Sequence, residues 1–169
     1  MTESSESEIE IVAERAGSPR MTAAEEMGLD SVTTKCLGIR LKLSFNIEMQ
    51  TYDSCLVHAI VNATQRPEAL DAMLSDVEAA GRDEGVPRQD VLAGIVAAKR
   101  TMGVVIRTGF DESVHTQGFA HLNTPCGKGH FIALRKLGSV WALDSLDGSC
   151  RRVTHWGRLK HRSTLYNIT

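Results

Sequence analysis

The sequence predicts an α+β domain, with helices on one side of an antiparallel sheet. Three observations carry this. One segment alternates apolar and polar residues, and segments with helical apolar spacing follow it. The second half of the chain then turns to short apolar runs parted by turn residues. A length of 169 residues suits one domain with a tail. Hydrophobic residues at 42% and charged residues at 24% exclude wholesale disorder, a collagen-like repeat and a coiled-coil rod. No apolar run approaches the roughly 18–20 residues of a membrane span.

The elements follow in order. Residues 1–35 read as an acidic extension, disordered or partly helical. Glu3, Glu6, Glu8 and Glu10 lie among serines with no basic residue before Arg15, and 22–29 could form a short helix ending near Gly28. This start lacks the basic-then-apolar plan of a signal peptide, so the expected location is intracellular, cytoplasmic or nuclear. The folded domain is expected over 36–169. Ile39, Leu41, Leu43, Phe45 and Ile47 alternate as in a half-buried strand. Cys55–Gln65 reads as a helix with Asp53 or Ser54 as N-cap and Leu56, Ala59, Ile60 and Ala63 as its apolar face. Pro67 opens a second helix that stops at Gly81, and Pro87 a third that ends near Gly103. Val104–Arg107 is a short strand, and Asp111–Pro125 is irregular and polar. Gly129–Leu137 and Val140–Leu143 form a hairpin about Gly138-Ser139. Ser149–Thr154 adds a strand, and a solvated basic strand and tail complete the chain.

Four residues suggest chemistry. Cys55 stands at a predicted helix N-terminus, where the partial positive charge stabilises a thiolate. His130 opens the most apolar strand, and its imidazole suits proton transfer near neutral pH. Asp144 ends the next strand, so the hairpin brings it beside His130, where a carboxylate can hold the imidazole tautomer. Gln50, on the loop entering the helix, could form an oxyanion hole with the Cys55 N–H. Each residue alone also fits a purely structural place.

The strings Gln50-Thr-Tyr-Asp-Ser-Cys55-Leu-Val-His-Ala-Ile-Val-Asn62 and Gly129-His130-Phe-Ile-Ala-Leu-Arg-Lys-Leu-Gly-Ser-Val-Trp141-Ala-Leu-Asp144-Ser145-Leu146 resemble papain-like cysteine peptidases. Among these they look most like the Josephin deubiquitinases. Asn62 is similar to an Asn of Josephin helices, while Asp144 stands where Josephins usually carry Asn. The resemblance implies Cys55 as nucleophile, His130 as general base and acid, Asp144 as its orienter and Gln50 as oxyanion donor. It implies acyl transfer with no metal or organic cofactor. The substrate would be a protein or peptide, ubiquitin or a ubiquitin-like protein among the options. Bacterial double-glycine leader peptidases and viral polyprotein proteases are alternatives within the same clan. Gly127, Lys128 and Gly129 precede His130 and are expected to line the substrate cleft, where glycines favour a narrow tail such as Gly-Gly.

Three other readings stand beside this one. Cys126, His130, Cys150 and His155, with His161 near, could hold zinc, as could Cys55 with His58, although paired CxxC spacing is absent. Arg151, Arg152, Arg158, Lys160 and Arg162, with His155 and His161, could contact nucleic acid or an acidic partner, the chain's own acidic leader included. A papain-like fold without activity could simply bind ubiquitin or a similar protein. Cys36 and Cys150 read as core residues, and Cys126 as a further reactive thiol.

Overall fold

The computed structural model describes residues 45, 47–49, 54–123 and 129–169. The acidic extension 1–35, Cys36, Gln50, Asp53, Cys126, Gly127, Lys128 and most of the expected 39–47 strand lie outside the described residues.

Helix α1 spans Cys55–Thr64. A single 3-10 turn, Pro67–Ala69, leads into α2 (Leu70–Glu84), and α3 covers Val91–Met102. Strands β1 (Ile106–Thr108), β2 (Gln117–Leu122), β3 (His130–Leu137), β4 (Ser139–Asp144) and β5 (Ser149–Arg152) follow. Helix α4 (Trp156–Arg162) and strand β6 (Ser163–Ile168) end the fold. The sheet order is β1-β6-β2-β3-β4-β5. Every neighbouring pair is antiparallel. The architecture is α+β, a helical first part packed on a C-terminal antiparallel sheet.

Helix α1 is buried on all sides from Cys55 to Ala63, because the sheet lies on one flank and α2 and α3 on the other. This explains why its sequence is apolar nearly all round. It runs alongside β3 in the same direction: Arg135 Nη1 donates to the Ala63 carbonyl near its C-terminal end. Phe119, Phe131, Ala133, Leu143 and Ile168 meet the helices on this face, and Ala120, Leu122, Ile132, Leu134 and Ala142 meet Leu159 of α4 on the other. Among the described residues, no helix is long and apolar enough to cross a membrane.

Several expectations change. Helix α2 does not stop at Gly81 but continues to Glu84, with Gly85 in the left-handed conformation as its cap. Gly81 is there for contact: a Cβ would lie 2.8 Å from the Val86 carbonyl oxygen. Helix α3 starts at Val91 rather than Pro87, since the Asp90 carboxylate accepts the Leu92 N–H. The segment expected to be irregular contains β2, a central strand covered on both faces, so no simple polar–apolar alternation marks it. The basic tail is also ordered: β6 lies between β1 and β2, with Leu165, Asn167 and Ile168 buried. The β3–β4 hairpin forms as expected, turning at Gly138 with φ at 71°.

Candidate active site

Antiparallel pairing of β3 with β4 puts the first residue of one strand beside the last of the other. His130 and Asp144 therefore meet at one end of the sheet, and His130 Nε2 donates to Asp144 Oδ1 at 2.8 Å. Both residues are buried. The same Asp144 oxygen accepts the Leu146 N–H at 2.9 Å, and the Asp144 carbonyl accepts the Gly148 N–H. The turn after β4 thus sets the carboxylate before the imidazole meets it.

The N-terminus of α1 arrives at the same place. Cys55 is its first residue, and it lies near enough to His130 to help raise the pKa of the imidazole. Burial works against a charged His130, but the Asp144 hydrogen bond, the Cys55 hydrogen bond and their charges prevail, raising its pKa to about 10. No acidic residue stands in the first turn of α1 to offset the helix field at Cys55. Ser54 holds the N-cap position without capping: its hydroxyl meets His58 Nδ1 instead, at 3.1 Å. The bonded His130–Asp144 pair and the Cys55 thiol stand at the same end of the sheet, beside the N-terminus of α1.

Gln89 and His121 escaped the sequence reading, and the bonds of Asn62 come only from the fold. Gln89, on the turn before α3, accepts from Cys55 Sγ at 3.7 Å. Nothing in its sequence context signals this, because the contact depends on how α3 packs. His121 stacks on Phe131, its partner across β2 and β3, with ring centroids 4.1 Å apart. Burial first, then the charge of His130, lowers its pKa. A Cβ on Gly129 would fall 2.0 Å from His121 Nε2, so this glycine lets the ring cross the start of β3. Asn62 is buried and bonds Glu48 twice: its Oδ1 accepts the Glu48 N–H at 2.8 Å, and its Nδ2 donates to the Glu48 carbonyl at 3.2 Å. Phe45 and Ile47 also pack on Trp141 and Cys150. These contacts anchor the chain immediately before Gln50.

The other sequence candidates are dispersed. Cys150 sits in an apolar cluster with Trp141, and burial pushes its thiol up to about 12, as suits a core residue. His58 is buried, its Nδ1 at 2.9 Å from the Ser54 carbonyl oxygen. Among the described residues, no three His, Cys, Asp or Glu side chains gather as a metal site. Arg151 leaves the basic surface: it is buried and bonds Asp147 and Ser149, because β5 turns it inward. Arg152, Arg158, Lys160 and Arg162 are exposed.

A cysteine heads a helix that packs on a sheet whose successive strands supply histidine and aspartate. No protein-family model matches the chain. No curated protein matches it either. Among solved structures, the chain is similar to the crystal structure of Pseudomonas avirulence protein AvrPphB, at 12% identity and a TM-score of 0.39, over 73% of this chain and 95% of that one.

Proposed function

We propose that the protein is a thiol peptidase that cleaves peptide or isopeptide bonds through an acyl-enzyme. The supporting observation is the buried His130–Asp144 pair at the sheet end, with the Cys55 thiol beside it at the N-terminus of α1. In this reading the Cys55 thiolate attacks the substrate carbonyl carbon, and a carbon–sulfur bond forms. His130 imidazolium gives its proton to the leaving amine as the carbon–nitrogen bond breaks. A water then attacks the thioester, His130 takes its proton, and the acid product leaves as Cys55 returns to thiolate. Asp144 orients the imidazole and stabilises its charged form. Gln50 and the Cys55 N–H are the proposed oxyanion donors, each worth on the order of 3 kcal/mol to the transition state. Gly127, Lys128 and Gly129 form the proposed wall of the cleft beside His130. All of this chemistry uses protein groups alone. The proposed catalytic domain is 36–169, with 1–35 as its extension.

Within this class we favour isopeptide substrates of the ubiquitin type, on the Josephin-like phrase from His130 to Leu146. Polyprotein or leader-type cleavage is the alternative.

The test is alkylation of Cys55 against pH, read by mass spectrometry. A Cys55–His130 ion pair labels quickly well below pH 7 and slows in His130→Ala. Labelling that begins only above about pH 8, like an ordinary thiol, removes the nucleophile assignment.

A further inference from the structure

We propose that Arg151, buried on β5, is a positioning residue for Asp144: it braces the turn from which the Asp144 carboxylate meets His130. The catalytic consequence rests on the thiol-peptidase reading. The Arg151 side chain is only 2% exposed. Its register partner on β4 is Ala142, and paired residues of antiparallel strands share a face of the sheet. Ala142 clusters there with Ile132 and Leu159, so the guanidinium lies on a face with an apolar core.

Stability alone does not account for an arginine in this place. An aliphatic side chain would avoid the cost of burying a charge, and replacing a buried ion pair by apolar groups is often neutral or stabilising. What arginine adds is a rigid fork of donors. Its Nε donates to Ser149 Oγ at 3.0 Å, and its Nη2 donates to Asp147 Oδ2 at 3.2 Å. The other Asp147 oxygen accepts the Ser149 N–H at 2.9 Å. Arg151 thereby ties the end of the turn to the first residue of β5.

That residue, Ser149, is buried and is the register partner of Asp144. Between the two, the Gly148 N–H donates to the Asp144 carbonyl at 2.9 Å, and the Leu146 N–H donates to Asp144 Oδ1 at 2.9 Å. Leu146 is 60% exposed, so apolar packing does not hold the tip of this turn. Hydrogen bonds hold it instead: those at Asp144 fix the outgoing limb, and those from Arg151 fix the returning one. Loosening the returning limb frees its partner. A carboxylate that drifts weakens its 2.8 Å bond to His130 Nε2 and the hold on the imidazole.

The test uses the full chain and two variants. Arg151→Met keeps much of the stem and removes the fork. Ser149→Ala removes one acceptor and keeps both charges. The His130 ring protons are titrated by NMR, urea midpoints are measured, and turnover is followed with a fluorogenic peptide amide ending in Gly-Gly. In Arg151→Met the His130 midpoint should fall by about half a unit or more, a threefold or larger change in its acid constant, and in Ser149→Ala by less. The kcat of Arg151→Met should fall about tenfold or more, with KM within twofold. Losing the Arg151 charge by itself, with Asp147 still ionised, would move the midpoint up, so a fall reports position rather than charge. Besides Asp144, Cys55 and His121 interact with the His130 charge, and both are intact in either variant. A lower urea midpoint with a His130 titration unmoved or raised would mark a merely structural arginine and overturn the brace. If Arg151→Met does not fold, Ser149→Ala decides: a titration that overlays the wild type overturns the brace there. A shifted titration with unchanged kcat would overturn the catalytic consequence. A wild-type Cys55 that iodoacetamide labels only at alkaline pH would instead overturn the peptidase reading, while the titration still decides the brace.

Discussion

Replacing Asp144 separates the geometric from the electrostatic part of its effect on His130. Asp144 Oδ1 accepts two hydrogen bonds, from His130 Nε2 at 2.8 Å and from the Leu146 N–H at 2.9 Å. An asparagine oxygen can accept both, so Asp144→Asn keeps the orientation and loses the charge. A hydrogen bond to a charged group contributes roughly 1.5–3 kcal/mol and a neutral one about 1 kcal/mol. The imidazolium should therefore lose about 0.5–2 kcal/mol in Asp144→Asn. At about 1.4 kcal/mol for each pKa unit, the His130 pKa then falls by about one unit from its raised position. Asp144→Ala removes the whole interaction, so the drop should be about one to two units, and the Leu146 N–H loses its acceptor. The assay is an NMR titration of the His130 ring protons in the three proteins, with peptide turnover measured alongside. Turnover should fall in the same order, with Ala below Asn. A His130 titration in Asp144→Ala that overlays the wild type would refute the claim that Asp144 holds the imidazolium.

Two further outcomes follow from the same contacts. The folded His130 pKa of about 10 lies above the ordinary value of 6.5, so the proton stabilises the fold. That contribution, on the order of a few kcal/mol, is complete below about pH 6.5 and is lost as pH rises through about 10. Urea midpoints at pH 6, 8 and 10 should fall across this window, and more steeply in wild type than in His130→Ala; equal slopes would contradict it. Asn62→Ala leaves the Glu48 N–H and carbonyl without the partners they have now, at a cost of about 2–4 kcal/mol. It should also slow turnover through the incoming segment that carries Gln50. Unchanged urea stability would show that these two bonds are dispensable.

What could be read from the chain followed physical locality. Cys55 at a helix start, and the His130–Asp144 pair, rest on one helix onset and one hairpin, both marked by short-range signals. The hairpin needed only Gly138 between two apolar runs, and its register then placed the two side chains together. Helix ends were less legible. Gly81 looks like a stop but serves helix packing, and Pro87 looks like a first turn while Asp90 does the capping. Strand β2 was missed because a central strand needs no polar face once helices cover both sides.

The sequence by itself determined the fold class, the order of the helical and sheet halves, and the His130–Asp144 pair that meets at the sheet end. Each of these depends on neighbours within a few residues or across one turn, so the pattern of side chains carries it. Only the tertiary structure decided that β6 enters the middle of the sheet, that Arg151 is buried, that Gln89 and His121 stand near the site, and that Asn62 holds the backbone of Glu48. Those outcomes depend on contacts between segments far apart in the chain, where burial on a second face or the approach of another helix outweighs local preference.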